Sequence, residues 1–369
     1  MNVVVTGGGT AGHVFPALAT ATALRDRHGA SIVFVGAEDG QEARLVPDAG
    51  FRFVPVHVSA AQARVSIATL RAVALALAGS RSVRGLVRGS DAVISIGGFA
   101  SGPAALAARR TRRPLVLIEP NSVPGIVNRI AARWAAAVAT TFDGTAERLP
   151  GRVRVERTGN PIRREIAAVP ERRARLRLEA CEAFGLEPDR TTVFVFGGSQ
   201  GALHLDQVLA EALPSLATRA DLQLLVSAGP GHEGEVTRAV DRSAPLRVAV
   251  APFVDRMDRA FALADLVVAR AGGSIAEVTA CGLPSILVPY PHATENHQEA
   301  NARELVAAGA ARMVLDRELS SSALVRAILE LVENEAARTA MGAAALAWAR
   351  PDAAARIADL CAEVAGAAG

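Results

Sequence analysis

Short continuous apolar runs recur through the first part of the chain at Asn2–Thr6, Ser31–Gly36, Phe51–Val56, Ala92–Ile96, Pro114–Glu119 and Ala135–Thr140. Each is too short for a helix and is bounded by glycine or polar turns, which predicts strands buried on both faces. The stretches between them are long enough for helices. Strand–helix alternation of this kind predicts a parallel sheet wound on both faces. Val153–Pro161 reads as the strand that leaves this first domain. A second series repeats the plan at Thr191–Phe196, Leu222–Val226, Leu246–Val250, Leu266–Ala269, Pro284–Val288 and Ala311–Leu315. Residues 170–190 read as a charged helical connector, and Ser320 to the end is helical and Ala-rich. The expected fold class is α/β, with two facing Rossmann-like, doubly wound parallel-sheet domains and a cleft between them. The expected boundaries are 1–160 and 161–369, with the last helix a candidate to return to the first domain.

The strands are followed by glycine or polar loops, and in such sheets the loops at the carboxyl edge hold ligands. Gly7-Gly-Gly-Thr-Ala-Gly12 follows the first strand and formally matches GxGxxG. With Glu38 near the end of the second strand, it keeps a nicotinamide or flavin enzyme in play. His13 comes directly after the loop, either as an imidazole at the mouth of a cleft, suited to act as a base, or as a helix residue facing solvent. Gly97-Gly-Phe-Ala-Ser-Gly-Pro103 and Glu119-Pro-Asn-Ser122 follow later strands at the same edge, and Arg163 sits at the expected hinge.

In the second series, Gly197-Gly-Ser-Gln-Gly201 offers backbone N–H groups and the Ser199 hydroxyl to a diphosphate. Pro252-Phe-Val-Asp255 supplies a Phe and a backbone peptide able to cover and hydrogen-bond a base. Arg270-Ala-Gly-Gly273 breaks the pattern before Ser274, the expected N-cap of a helix that carries Glu277. A carboxylate there suits the two hydroxyls of a ribose. The polar run His292–Asn301 brings His297, Gln298 and Asn301, groups that both donate to and accept from a sugar. Together these features point to a nucleotide-sugar site, although any one glycine turn is also a plain strand–helix connection.

Composition narrows the chemistry. With 369 residues, half of them apolar, the chain is globular and long enough for two cores. Cys181, Cys281 and Cys361 are far apart without CxxC spacing, which fits a reducing compartment and argues against structural zinc. All 40 basic residues are Arg, so a P-loop lysine, a lysine Schiff base and a lysine nucleophile are excluded. No signal peptide is expected, because Asn2–Thr6 already reads as a strand, and no apolar run reaches membrane-spanning length. The net charge of +3 hides an asymmetry: residues 1–160 hold 19 Arg against 10 acids, while the remainder is acidic. From Phe51 to Ser90 there is no acid, whereas Arg52, Arg64, Arg71, Arg81, Arg84 and Arg88 all occur. Ile67, Leu70, Ala74 and Leu77 follow helical spacing, and Ser82–Arg88 continues after a break at Gly79-Ser80. Such a segment suits an anionic membrane surface or, equally, a core helix with a solvated Arg face. Arg109-Arg-Thr-Arg-Arg113 adds to the basic surface. No nucleic-acid partner is expected.

GGGTAGHVFPALA in the first half, with FGGSQGA, RAGGSIAE and HQEAN in the second, resembles the MurG family over nearly the whole chain. These are the peptidoglycan N-acetylglucosaminyltransferases of the GT-B superfamily. The resemblance implies transfer of N-acetylglucosamine, with inversion, from UDP-N-acetylglucosamine to the C4 hydroxyl of undecaprenyl-diphospho-muramoyl-pentapeptide, on the cytoplasmic face of the membrane. It implies Thr10, Ala11 and Gly12 against the donor, His13 as base and Glu119 as reserve base or acceptor-orienting residue. Asn121, Arg163 and Ser199 match donor contacts, as do Gly273 and Ser274 on the diphosphate. Val254 after Phe253 matches the uracil reader, Glu277 the ribose acid and Gln298 the sugar-holding amide. No cofactor is expected, and since no Asp-x-Asp pair is present, no metal either. The alternatives are another GT-B transferase with a lipid or natural-product acceptor, a dinucleotide-dependent oxidoreductase, and a silent binding protein of the same fold.

Overall fold

The structure is a computed structural model describing residues 1–8, 11–58, 67–199 and 201–367, with backbone alone for Ala11 and residues 67–73. Thr10 and Arg64 lie outside the described residues, as do the side chains of Ala11, Ile67, Leu70 and Arg71. The chain forms two compact units, Met1–Arg163 together with Arg350 onward, and Arg164–Ala349.

The first unit is built on seven strands: β1 (Asn2–Thr6), β2 (Ser31–Ala37), β3 (Arg52–Val56), β4 (Ala92–Ser95), β5 (Leu115–Glu119), β6 (Ala137–Thr140) and β7 (Arg154–Arg157). They pair in the order β3-β2-β1-β4-β5-β6-β7, parallel throughout. The second unit holds β8 (Thr191–Phe196), β9 (Leu222–Ser227), β10 (Arg247–Ala251), β11 (Leu266–Ala269), β12 (Ser285–Leu287) and β13 (Ala311–Met313). Their order is β10-β9-β8-β11-β12-β13, again all parallel. Both sheets therefore reverse their strand order once, between β1 and β4 and between β8 and β11. Ligands of open α/β sheets bind at the carboxyl end of such a switch point.

Successive residues of each strand enter different cores. Val3 and Val5 join one cluster and Val4 the opposite one. Val193 and Val195 face one side, Phe194 and Phe196 the other. Alternation across a sheet buried on both faces is what turns the strands into unbroken apolar runs. Each such fully buried side chain is worth about 1.5–3 kcal/mol.

The last helix, Ala353–Gly366, closes the first unit. Ile357, Ala358, Leu360 and Cys361 bury against Ala17, Ala21 and Leu24 of the helix Ala11–His28. Arg27 and His28 both reach Asp359, at 2.7 and 2.8 Å, and Arg154 reaches Glu363 at 2.6 Å. These pairs are exposed and add little, so the apolar face holds the helix. Gly159, at φ +90°, lets the returning chain pass, since a Cβ there would lie 2.5 Å from that of Arg350.

Several local expectations differ from the structure. The strand expected at Val153–Pro161 spans only Arg154–Arg157, because Thr158 and Gly159 both turn their N–H groups onto Thr140 O. Residues 170–190 are more than a connector: the helix Val169–Phe184 buries Val169, Leu176, Ala180 and Cys181 with Ala260 and Phe261 in the second unit's core. The break expected at Gly79-Ser80 is absent, and the helix runs Ile67–Ser82. Gly79 brings it close to Pro103, 3.2 Å from a Cβ built on the glycine. Of the expected apolar stripe, Ala74 is exposed and Leu77 half-buried. The three cysteines are buried and unpaired.

Candidate active site

In the first unit the loop after β1 closes against an unforeseen carboxylate. Glu42 is 1% exposed and accepts the Ala37 N–H at 2.8 Å. A Cβ on Gly8, Gly36 or Gly40 would fall 2.0–2.6 Å from Glu42 atoms. Three glycines thus make room for one buried acid under this loop. The side chain fills the space beneath the backbone at Gly8.

The helix Ala11–His28 starts inside the motif, so Gly12 and His13 belong to its first turn. The His13 ring lies beside Gly98, its Cε1 and Nδ1 within 3.8 and 3.9 Å of a Cβ built there. Gly98 sits at φ +74°, with Gly8 O 3.0 Å from the same point. The loops after β1 and β4 therefore interlock around the imidazole at the switch point. Two residues further on, the Phe15 ring carries the Arg163 guanidinium at 4.7 Å. That contact anchors Arg163 to the helix that presents His13.

Glu119 ends β5 and is 1% exposed. Its Oε1 accepts the Asn121 N–H at 3.0 Å and Asn121 Nδ2 at 3.4 Å. Its Oε2 accepts the Gly125 N–H at 3.0 Å and Asn128 Nδ2 at 2.9 Å. Burial pushes this carboxyl up to about 7, and the donors offset only part of that shift. Both oxygens thus hold the loop that carries Asn121. Thr145 Oγ reinforces the loop by donating to Asn121 O at 3.0 Å. Asn128 also bonds Ile118 O at 2.9 Å, and its amide lies 3.0 Å from a Cβ built on Gly97. One asparagine therefore ties the loops after β4 and β5 together.

In the second unit, Gly197, Gly198, Gly201 and Ala202 pack tightly together after β8. Gly201 donates to Gly198 O at 3.0 Å, and a Cβ on Gly197 would lie 2.3 Å from Ala202 N. Gly201, at φ +74°, meets Ala228 O and His232 Nδ1 of the loop after β9, 2.4 and 2.9 Å from its built Cβ. Ser199 is half-buried at the bend. Across the switch point lies the loop after β11. Arg270 is 7% exposed there, pairs with Asp316 and donates to Val288 O and Pro289 O at 3.2 and 3.3 Å.

Ser274 occupies the N-cap position of Ile275–Ala280, but its hydroxyl makes no cap bond. The turn is instead closed by its own backbone: Ile275 and Ala276 donate to Gly272 O and Gly273 O at 3.2 and 3.3 Å. Glu277 is half-buried one turn in.

The helix His297–Ala307 braces the same loop. Asn301 Nδ2 donates to Ala271 O at 3.0 Å. Gln298 accepts the Tyr290 N–H at 2.9 Å and sets its Nε2 3.8 Å from a Cβ built on Gly272. His297 turns inward, donating from Nδ1 to Thr294 O at 2.9 Å, and burial lowers its pKa. Phe253 is 46% exposed after β10, whereas the Val254 side chain is in the core. An exposed ring beside an anchored peptide suits stacking on a base.

The second unit thus brings Ser199, Gly273, Ser274, Glu277, Gln298, Phe253 and Val254 to one sheet edge, and the first brings His13, Glu119, Asn121 and Arg163 to another. Sequence reasoning missed Glu42, Phe15 and Asn128. The only signal for Glu42 was the glycines at positions 8, 36 and 40. Among the described residues, no group of three or more His, Cys, Asp or Glu is arranged to hold a metal ion.

Residues 3–140 match the N-terminal domain of glycosyltransferase family 28 and residues 192–357 its C-terminal domain. The chain is 40% identical, over 100% of its length and 99% of the relative's, to the UDP-N-acetylglucosamine–N-acetylmuramyl-(pentapeptide) pyrophosphoryl-undecaprenol N-acetylglucosamine transferase of Acidothermus cellulolyticus. It is 39% identical, over 96% of both chains, to the like-named enzyme of Moorella thermoacetica. Among solved structures, Acinetobacter baumannii MurG is similar at a TM-score of 0.78 and 28% identity, covering 98% of this chain and 99% of that one.

Proposed function

The chain belongs to glycosyltransferase family 28, and from that premise we propose transfer of N-acetylglucosamine from UDP-N-acetylglucosamine to an undecaprenyl-diphospho-N-acetylmuramoyl-pentapeptide, at the C4 hydroxyl and with inversion. Its fold is of the GT-B class, and its full-length relatives are named for this transfer. The observation that carries the reading is the pairing of the Gly197–Ala202 and Arg270–Ser274 loops across the switch point of the second sheet. The oxidoreductase reading of Gly7-x-Gly9-x-x-Gly12 gives way to the family match.

The chemistry needs a base for the acceptor hydroxyl and positive partners for the departing UDP. His13 takes the proton, because an imidazole ordinarily titrates near working pH. Backbone N–H groups of the Gly197–Ala202 loop, the Ser199 hydroxyl and the Arg163 guanidinium receive the diphosphate charge. Gly273 and Ser274 add contacts from the second loop. Glu277 takes the ribose hydroxyls, the Val254 peptide and Phe253 ring hold the uracil, and Gln298 Nε2 donates to the sugar. Glu119 acts as a positioning residue, since both its oxygens are bonded to the loop that carries Asn121. This route uses guanidinium and N–H groups where other transferases use a metal ion, so activity should survive EDTA.

The acceptor's isoprenoid places the reaction at a membrane, and the first unit supplies a basic surface for it. Arg81, Arg84 and Arg88 are exposed. Nearby, Arg113 donates to Arg88 O at 3.0 Å and lines, with Arg109, Arg112, Arg154, Trp134 and Glu363, a cavity of about 420 Å³. No described helix is long and apolar enough to cross a bilayer, and the contact proposed through this face is peripheral. Replacing Arg81, Arg84 and Arg88 with Gln should weaken binding to anionic vesicles; unchanged binding would return the segment to a solvated helix face.

A thermal-shift series with UDP, UDP-N-acetylglucosamine, TDP and NADH tests the donor assignment. The two uridine ligands should raise the melting temperature. Stabilisation by NADH alone would overturn it.

A further inference from the structure

One buried acid in the second unit has no role in the scheme above. Asp206 lies in the first turn of the helix Leu203–Leu216, four residues beyond Ala202. It is 1% exposed, and neither carboxyl oxygen has a hydrogen-bond partner. Its carboxyl faces back toward the Ala202 N–H, where the glycine loop joins the helix. The charged group that bears on it is Arg270, from the loop across the switch point. That guanidinium is already paired with Asp316, which His204 also contacts at 2.9 Å. The helices Glu233–Ala239 and Ser321–Val332 meet this helix with Val236, Leu324 and Ile328. In the loop after β9, His232 Nδ1 lies against Gly201, and Glu233 carries a buried, unpartnered Oε2.

A buried carboxylate is costly unless it keeps its proton, and the Ala202 N–H and Arg270 offset only part of that burial. Placed under a loop that receives a diphosphate, its negative charge would oppose the ligand across a low-dielectric gap. We propose that Asp206 couples donor binding to a proton, so that the diphosphate of the nucleotide sugar binds the form in which Asp206 is uncharged. Asp206 is then a positioning residue that acts through the loop, since its oxygens are shut off from solvent. Burial pushes its carboxyl up to about 7, which puts the transition within working pH. The inference rests on the donor assignment to the Gly197–Ala202 loop and adds a regulation to it.

Linkage fixes the sign. A proton held more tightly in the complex than in the free enzyme makes affinity fall as pH rises through the free-enzyme pKa. UDP-N-acetylglucosamine is the right probe, because its diphosphate is a diester and does not itself titrate near neutrality. The test is calorimetric binding of this ligand to the full chain from pH 6 to 8.5, for wild type, Asp206→Asn and His232→Asn. His232 is the control, because its imidazole also lies against Gly201. Wild type should lose about tenfold in affinity over this span, equivalent to a one-unit shift of the coupled group. Asp206→Asn should be nearly flat, and His232→Asn should keep the wild-type response. Independently of any variant, wild type should take up a proton on binding near pH 7.5, read from the dependence on buffer ionisation heat. A pH response unchanged in Asp206→Asn, or abolished in His232→Asn, would overturn the proposal, as would absence of proton uptake in wild type. Failure of all three proteins to bind at pH 6 would remove the donor assignment itself, and the coupling with it.

Discussion

Removing the Glu119 side chain should separate a base from a scaffold. In Glu119→Ala the Asn121 N–H, the Gly125 N–H and one proton of Asn128 Nδ2 lose their acceptor. Gly125 is exposed and can turn to water, whereas Asn128 is 1% exposed and cannot. Each buried donor left unpaired costs about 1–3 kcal/mol, so the substitution should cost about 2–5 kcal/mol. For a unit of this size that lowers the melting temperature by roughly 5–20 °C. Glu119→Gln keeps the shape and one acceptor oxygen, and should fall about halfway. Calorimetric unfolding and steady-state kinetics on the same samples make the test. The expected pattern is a kcat loss that follows the stability loss across Ala and Gln, with donor affinity weakened in step, because Glu119 holds the loop that carries Asn121. A melting temperature for Glu119→Ala within a degree or two of wild type would refute the reasoning. So would a Gln variant as inactive as Ala but fully stable, which is the signature of a base.

Three further outcomes are expected. His13→Ala should lower kcat by about two orders of magnitude or more while leaving UDP-N-acetylglucosamine affinity intact; full activity would remove the base. Gly201→Ala places a Cβ 2.4 Å from Ala228 O at φ +74°, so it should cost about 2–4 kcal/mol and weaken donor binding, as read by urea unfolding and ligand titration. Burial holds the Glu119 carboxyl at about 7, above its ordinary 4.5, so the folded chain keeps a proton that the unfolded chain releases. Stability present below about 4.5 should then be lost as pH rises to about 7, by at most about 3 kcal/mol. Urea unfolding across that range should show a shallower slope in Glu119→Gln, with Asp206 supplying a remainder of the same sign.

The strands were legible because these sheets are buried on both faces, so Val3–Val5 or Val193–Phe196 need no alternation to be recognised. Strand ends were less legible. Val153–Pro161 looked continuous because nothing local reveals that Thr158 and Gly159 turn onto Thr140. The glycine loops announced themselves by composition, but what packs beneath them did not. Glu42 sits in a polar stretch that reads as surface, and its burial depends on Gly8, far away in sequence, as well as on nearby Gly36 and Gly40. Asn128 lies on a six-residue helix with too few turns to show a face. Gly79 looked like a helix breaker, yet it lies where a Cβ would come 3.2 Å from Pro103. Ser274 stood where a cap belongs, but a turn closed by Gly272 and Gly273 carbonyls leaves its hydroxyl unused as a cap. Long-range packing decided the places of Glu42, Asn128 and Gly79, whereas the turn around Ser274 decided its own.

The most direct measurement of the central claim is a product assay on the purified full chain with labelled UDP-N-acetylglucosamine and an undecaprenyl-diphospho-N-acetylmuramoyl-pentapeptide. The account predicts one UDP released per disaccharide formed, with a β linkage to the muramoyl C4 oxygen. UDP release without disaccharide, an α linkage, or transfer to some other acceptor while this one is refused would contradict it.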